Sequence, residues 1–273
     1  AFAYLGEEKA YEVVVENTNR IADQIEDMEP IPVGMFYPHL GDAEEQLYGL
    51  VRSRAGELYG DPLPPGVSDR LEQELSVISK QEGAASLYWI AHLQACRSME
   101  QGYRVMARGT AGSSLTSWLA GIGGINPLAP HYRCPHCRHT EFFTRGEVNS
   151  GFDLPQKFCP ACGHALERDG QEIPWESFLG FCGDKVPDFD LSFASEYYYQ
   201  GMPKRVLESL FGKERVIKAG TISTIPERIA LQFIRKYEKE NGLKYSREAL
   251  ENLTEELSGI KRATGQHPGG FVI

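Results

Sequence analysis

Four stretches of the chain carry residue types whose spacing could do chemistry. The first is a pair of CxxC turns, Cys134-Pro135-His136-Cys137 and Cys159-Pro160-Ala161-Cys162, with twenty-one residues between them. Each turn presents two thiolates, and two turns complete a tetrahedral four-sulfur site for one Zn²⁺. Such a set leaves no open coordination position, so the expected role is structural. His136, His139 and His164 lie beside the turns, and a redox-active CxxC is the competing reading. The second stretch is Asp188-Phe189-Asp190 within VPDFDLSF. On a strand, Asp188, Asp190 and Ser192 share one face, while Phe189, Leu191 and Phe193 share the other. Two adjacent carboxylates repel, and a divalent cation relieves them. Oxygen ligands suit Mg²⁺, which bridges to substrate phosphates, and a pair of such ions can activate a hydroxyl and stabilise a leaving pyrophosphate. An edge strand with two solvated acids is the alternative.

The third stretch runs from Arg108 to Ser114, Arg-Gly-Thr-Ala-Gly-Ser-Ser, ahead of a helical pattern. Small residues let backbone N–H groups approach an anion, and the helix start and Arg108 add positive charge. That describes a triphosphate cradle. The Gly-Lys-Ser/Thr ending of a Walker A loop is missing, and a plain strand–turn–helix with a serine cap fits the same residues. The fourth is Lys261 to Gly270, KRATGQHPGG, whose bases, His267 and paired glycines could reach phosphates or a primer end. Taken alone it reads as a structured loop.

These residues need elements to position them. Val14, Thr18, Ile21, Ile25 and Met28 recur at three- and four-residue steps, which predicts one helix over the first 29 residues. PIPVGMFYP (30–38) breaks it. A helix over about 43–59 places Leu47, Leu50, Val51 and Leu58 on one face, GDPLPPG (60–66) turns the chain, and helices follow at about 68–80, with Leu71, Leu75 and Ile78 inward, and 84–102. YRVMARG reads as a strand entering the glycine/serine loop, SSLTSWLAGI as a helix start, 131–170 as loop-rich, and 184–193 as a strand. The stretch 203–258 reads as helical: Thr224 and Glu227 form a capping box, Gly242 ends that helix, and Ser246 caps a last one with Leu250, Leu253 and Leu257 inward.

The chain has 273 residues, 41% hydrophobic and 24% charged, which excludes disordered, collagenous and helical membrane classes. Its net charge of −10 is uneven. The first 80 residues hold 16 acids and 6 bases, whereas residues 101–145 hold five arginines against one glutamate and 201–262 hold 13 bases against 9 acids. Distribution therefore weighs more than the acidic total for any nucleic-acid partner, although solvated helix faces account for the same pattern. No signal peptide is evident at the start, so disulfides are not expected and Cys96 and Cys182 read as small buried residues. The first residue is not Met, which suits a processed chain or a piece of something larger.

A glycine/serine phosphate loop upstream of a strand DxD is the order seen in nucleotidyltransferases. At these residues the sequence resembles the family C DNA polymerases, the PolC-type alpha subunits of bacterial replicative DNA polymerase III. The strings that carry the resemblance are FAYLGEEKAYEVVVENTN, YGDPLP, ARGTAGSS, INPLAPHYRCPHC, SGFDLPQKFCPACG, GDKVPDFDLSF and KRATGQHPGG. The resemblance implies an α+β fold: a polymerase-beta-like nucleotidyltransferase palm with a structural zinc ribbon insertion and a helical thumb. It implies a helical tail of a preceding PHP domain (1–35), palm (36–200) with the zinc insertion (131–170), thumb (201–258), and a return to the palm (259–273). Asp188 and Asp190 match the catalytic, Mg²⁺-binding aspartates. Arg108, Gly109, Gly112, Ser113 and Ser114 match the loop that holds the incoming dNTP, and Lys185 and His267 join the nucleotide-binding set. Cys134, Cys137, Cys159 and Cys162 match the family's Zn²⁺ site. The implied activity is template-directed DNA synthesis on primer–template DNA in the cytoplasm, away from any membrane, with the sliding clamp and other replisome subunits as partners of the full-length protein. Two departures stand out. Met106 and Ala107 replace the family's Gly-Ser before its Arg-Gly, and the third palm aspartate lies downstream of Gly270, so the chain alone is expected not to extend a primer. A degenerate palm that only binds nucleic acid or another subunit is the alternative.

Overall fold

A computed structural model describes residues 2–26, 34, 36–180, 187, 189–195 and 201–273. The chain divides into two units, Ala1–Phe36 and Tyr37–Ile273. In the first, α1 (Glu7–Tyr11) passes through a π-helical turn (Glu12–Glu16) into α2 (Asn17–Ala22). The predicted apolar stripe stays in solvent: Val14, Ile21 and Ile25 are all exposed. Met28 lies outside the described residues.

The second unit is built on three helices, α3 (Ala43–Tyr59), α4 (Pro65–Lys80) and α5 (Ala84–Glu100). Their inward faces follow the helical period. Leu47 and Val51 on α3, Leu71, Leu75 and Ile78 on α4, and Tyr88 and Ala91 on α5 form one core. Pro65 opens α4, where a missing N–H is harmless. The core is closed from the side by β1 (Met106–Gly109), a single turn α6 (Thr110–Ser113) and α7 (Leu115–Leu119), whose Leu115 and Leu119 are buried.

Beyond α7, three short strands form a sheet in the order β3-β2-β4: β2 (His131–Arg133), β3 (Thr140–Phe142) and β4 (Glu167–Asp169). The region read as loop-rich thus has its own sheet and its own small core of Tyr132, Leu154, Leu166, Cys134 and Cys159. After α8 (Glu176–Leu179), β5 (Phe189–Ser192) returns to pair antiparallel with β1. Lys185, Asp188 and Cys182 lie outside the described residues.

The last third differs most from expectation. Helix α9 (Met202–Phe211) leads into β6 (Ile217–Thr224), then α10 (Glu227–Asn241), α11 (Arg247–Leu257) and β7 (Lys261–Val272). The stretch 203–258 therefore contains a strand, and the terminal KRATGQHPGG segment is its partner rather than a loop. β6 and β7 form an antiparallel ribbon with the helix pair inserted at its far end. The capping box is absent: Thr224 pairs with Lys261 in the ribbon, and Pro226 stands at the N-cap of α10 without a side-chain bond. Gly242 ends α10 in the left-handed conformation, and Ser246 Oγ accepts from Ala249 N–H, as the sequence predicts. Small sheets with surrounding helices make this an α+β fold.

Candidate nucleotide and metal site

The glycine/serine loop and the DxD strand meet. In the β1–β5 register Arg108 stands opposite Asp190, Ala107 opposite Leu191 and Gly109 opposite Phe189. Directly opposed residues project from the same face of a sheet, so the guanidinium and the carboxylate share one face. The other face is apolar: Ala107, Phe189 and Leu191 pack on the main core, and the Phe189 ring meets the buried Tyr88 ring edge-on at 4.7 Å. Over the described residues Phe189–Ser192, this is the alternation read from the sequence.

A groove of about 560 Å³ lies against that strand pair, and Arg108, Asp190 and His267 all line it. The third comes from β7. The partner of Lys218 is Phe271 and that of Gly220 is Gln266, so residues 267–270 bulge opposite Ala219. Such a bulge re-aims side chains, and it is where a strand tolerates a proline. His267 Nδ1 accepts from the N–H of Gly270 (2.6 Å) and of Gly269 (3.2 Å), which fixes the bulge.

Two glycines of the loop have physical reasons. Gly109 sits at φ 64°, ψ −142°, a conformation that side chains resist. At Gly112 a Cβ would come within 3.0 Å of the Ala107 carbonyl oxygen. Ser113 Oγ donates to Gly109 O (3.3 Å). Ser114 is buried and works as a cap: its Oγ accepts from Ser117 N–H (2.8 Å) and from Tyr88 Oη (3.3 Å). Burial pushes the Tyr88 hydroxyl far above the ordinary phenol range.

Sequence reasoning missed what holds the start of α7. Glu74, fully buried on α4, accepts from Leu115 N–H (3.0 Å), Thr116 N–H (2.9 Å) and Thr116 Oγ1 (2.9 Å), and its Oε1 lies 2.6 Å from Arg70 Nε. The first backbone donors of α7 are thus spent inside the protein. A signal existed: position 74 falls on the inward stripe of Val67, Leu71, Leu75 and Ile78, where an unpaired carboxylate would be prohibitive.

The cysteine turns also converge. The sulfurs of Cys134, Cys137, Cys159 and Cys162 lie within 4.8 Å of one another. Cys134 Sγ is 3.4 Å from Cys162 Sγ, and Cys137 Sγ is 3.5 Å from Cys159 Sγ. A tetrahedron with metal–sulfur bonds of about 2.3 Å has edges of about 3.8 Å, so these sulfurs fit one soft ion. The turns repeat each other: Arg138 N–H donates to Cys134 O and Cys134 N–H to His139 O, as Gly163 does to Cys159 O and Cys159 to His164 O. Arg138 (φ 63°) takes the left-handed place of Gly163 (φ 75°) and donates from Nε to Glu57 O, at the end of α3. The N–H of Cys137 on its sulfur is the leading effect that holds the Cys134 thiol down at about 6. At Cys162 an N–H from His164 pulls the same way, but burial and the sulfurs of Cys137, Cys134 and Cys159 push it up to about 12. Four thiols this close together suit a bound cation, which holds them as thiolates.

This module is joined to the core by a buried relay. Tyr59 Oη donates to His131 Nε2 (3.1 Å) and accepts from Asn126 Nδ2 (2.9 Å), which also donates to Asp169 Oδ2 (2.9 Å). His131 Nδ1 donates to Ala129 O (2.8 Å), which leaves Nε2 the acceptor. Burial, the main cause, lowers the pKa of His131.

The family model for the bacterial DNA polymerase III alpha NTPase domain matches residues 45–247, and the chain belongs to that family. Among curated relatives, the protein named DNA polymerase III PolC-type from Caldanaerobacter subterraneus subsp. tengcongensis is 48% identical over 272 residues, covering 100% of this chain and 19% of the relative. Those of Thermotoga maritima (49% over 267 residues, 98% of this chain) and Bacillus subtilis (45% over 273 residues, 100% of this chain) are likewise matched over 19% of their length. The chain thus corresponds to a PolC-type DNA polymerase III alpha region and spans about a fifth of the relatives' length. Among the described residues no helix is long and apolar enough to cross a membrane.

Proposed function

We propose that this chain supplies the nucleotide- and metal-binding palm segment and part of the duplex grip of a DNA-directed DNA polymerase of the PolC type. The observation that carries this reading is the placement of Arg108 opposite Asp190, with both lining one groove together with His267. Asp190, with its neighbour Asp188, would hold Mg²⁺, which when bound supplies the acidity that activates a primer 3′-hydroxyl and the charge that stabilises the pyrophosphate. Arg108 would offer its guanidinium to the triphosphate, with the backbone of Gly109 to Ser113 beside it. Ser114 would serve that loop as the cap behind it, not as a ligand. His267, held by its own bulge, would close the groove from the ribbon side. Most of the rate advantage would come from positioning and fixed charge.

The four cysteines would hold a structural Zn²⁺, since thiolates at this spacing select it and no coordination position is left open. The ribbon and the α10–α11 pair, with Lys218, Lys261 and Arg262 exposed, would meet primer–template DNA through its phosphates, so binding would be sequence-tolerant and fall steeply with salt. The test is Mg²⁺-dependent binding of a fluorescent deoxynucleoside triphosphate, mant-dATP. The reading expects wild-type binding that chelation abolishes and that Arg108→Ala weakens at least about tenfold, the loss of one charge-assisted fork. Binding that ignores Mg²⁺ and Arg108 would move the function elsewhere.

A further inference from the structure

We infer that Glu74 is a positioning residue for the phosphate loop, acting through the backbone of Leu115 and Thr116; the inference rests on the nucleotide-binding reading of that loop. Glu74 is fully buried on an otherwise apolar stripe of α4. Core packing has no use for a charge there, because an apolar side chain of similar volume fills such a position at least as well. What the carboxylate does instead is receive four donors: Leu115 N–H, Thr116 N–H, Thr116 Oγ1–H and the Arg70 guanidinium. Both oxygens are occupied, so the carboxylate has a single well-defined pose. Arg70 is oriented in turn by donating from Nη1 to Ile173 O (2.8 Å).

The consequence for the loop is geometric. Residues 110–113 form a single turn strung between two fixed ends. One end is β1, held to the Asp190 strand by pairing. The other is the peptide pair 115–116, held by Glu74, with Ser114 capped under Tyr88. Release of the second end lets the loop drift relative to Asp190 while the strand pair stays intact. Glu74 also sets a sign. Its negative charge neutralises the start of α7, so a purely electrostatic role would oppose an anion in the loop. A positioning role favours that anion despite the charge.

The experiment compares Glu74→Gln with wild type by mant-dATP titration in Mg²⁺, well below the melting temperature, with metal content and circular dichroism measured on the same samples. The expected result is binding weakened about tenfold, the lower range for loss of an orienting partner, with metal content and helicity unchanged. Unchanged or tighter binding, with only the melting temperature lowered, overturns the inference and leaves Glu74 a structural or electrostatic group. If wild type itself does not bind mant-dATP, the reading of the loop fails, and this inference falls with it. Should Glu74→Gln not fold, Thr116→Val removes one donor to Oε2 at nearly constant shape. It is expected to weaken binding about threefold, a fraction of the full loss, and equal affinity overturns the inference.

Discussion

Replacing Tyr59 with Phe removes a single hydroxyl from the relay between α3 and the cysteine-bearing sheet. That hydroxyl is both the donor to His131 Nε2 and the acceptor from Asn126 Nδ2. Tyr59 is 3% exposed and His131 0%, so no water replaces it without a cavity. A buried polar atom left unpaired costs about 1–3 kcal/mol. His131 Nε2 loses its described partner, whereas the Asn126 amide keeps its bond to Asp169. The full penalty therefore falls on one atom and part of it on another, about 2–4 kcal/mol in all. Against a typical domain stability of about 5–15 kcal/mol that is a large share. The assay is urea unfolding at pH 7.5 followed by tryptophan fluorescence, since the Trp118 ring lies 6.4 Å from the Tyr59 ring and reports on the same spot. Tyr132→Phe is the control. It removes a hydroxyl whose partner among the described residues is the Pro155 carbonyl, and the expected loss is nearer to about 1 kcal/mol. A Tyr59→Phe protein within about 0.5 kcal/mol of wild type, the range of an inert surface change, would refute the relay.

The same histidine sets a pH dependence: its folded pKa lies below the ordinary imidazole value of about 6.5, chiefly through burial. As pH drops below 6.5 the unfolded chain takes up a proton that the folded chain refuses, so stability falls by up to about 1.4 kcal/mol per pH unit until the folded pKa is reached; an NMR titration of the His131 ring with a midpoint at or above 6.5 would contradict this. Metal removal by a chelator, or the double change Cys134→Ser with Cys159→Ser, is expected to unfold 131–170 locally while α3, α4 and α5 persist, which hydrogen exchange would show as lost protection confined to that segment; metal-free protein with full protection there would count against a structural ion. At Arg138, Ala keeps the left-handed backbone and loses the bond to Glu57 O, whereas Gly loses the bond and relieves the backbone, so Arg138→Gly should be the more stable variant by about 1 kcal/mol. Equal stabilities, or the reverse order, would mean that the left-handed turn is not strained.

Much of this site was legible before any coordinates. The strand alternation of VPDFDLSF, the turn at Arg108 to Ser114 and the helix over 43–59 are local signals, and local signals survive folding. The pairing of β1 with β5 was not legible, because the strands are about eighty residues apart and nothing in either fixes its partner. Glu74 hid for the opposite reason: it sits where a core residue belongs, and only the donors it receives from α7 explain it. The β6–β7 ribbon was misread because most of its residues are exposed on both faces, so IKAGTIST and KRATGQHPGG carry no apolar alternation. The capping box failed because the ribbon claimed Thr224 first. The single helix read over the first 29 residues overran: α2 ends at Ala22, Val14 sits in the π-helical turn and Ile25 lies past the helix, so a three- and four-residue spacing did not by itself make one helix face.

The proposed function turns on the β1–β5 pair, where nucleotide and metal would meet. It is tested most directly by single-nucleotide incorporation with a PolC-type polymerase carrying this segment, comparing wild type with Asp190→Asn at saturating Mg²⁺ and primer–template. The expected result is a fall in rate of at least about a hundredfold, the size expected when charge stabilisation of the transition state is lost, with duplex affinity nearly unchanged. An Asp190→Asn enzyme that incorporates nucleotide at close to the wild-type rate would contradict it.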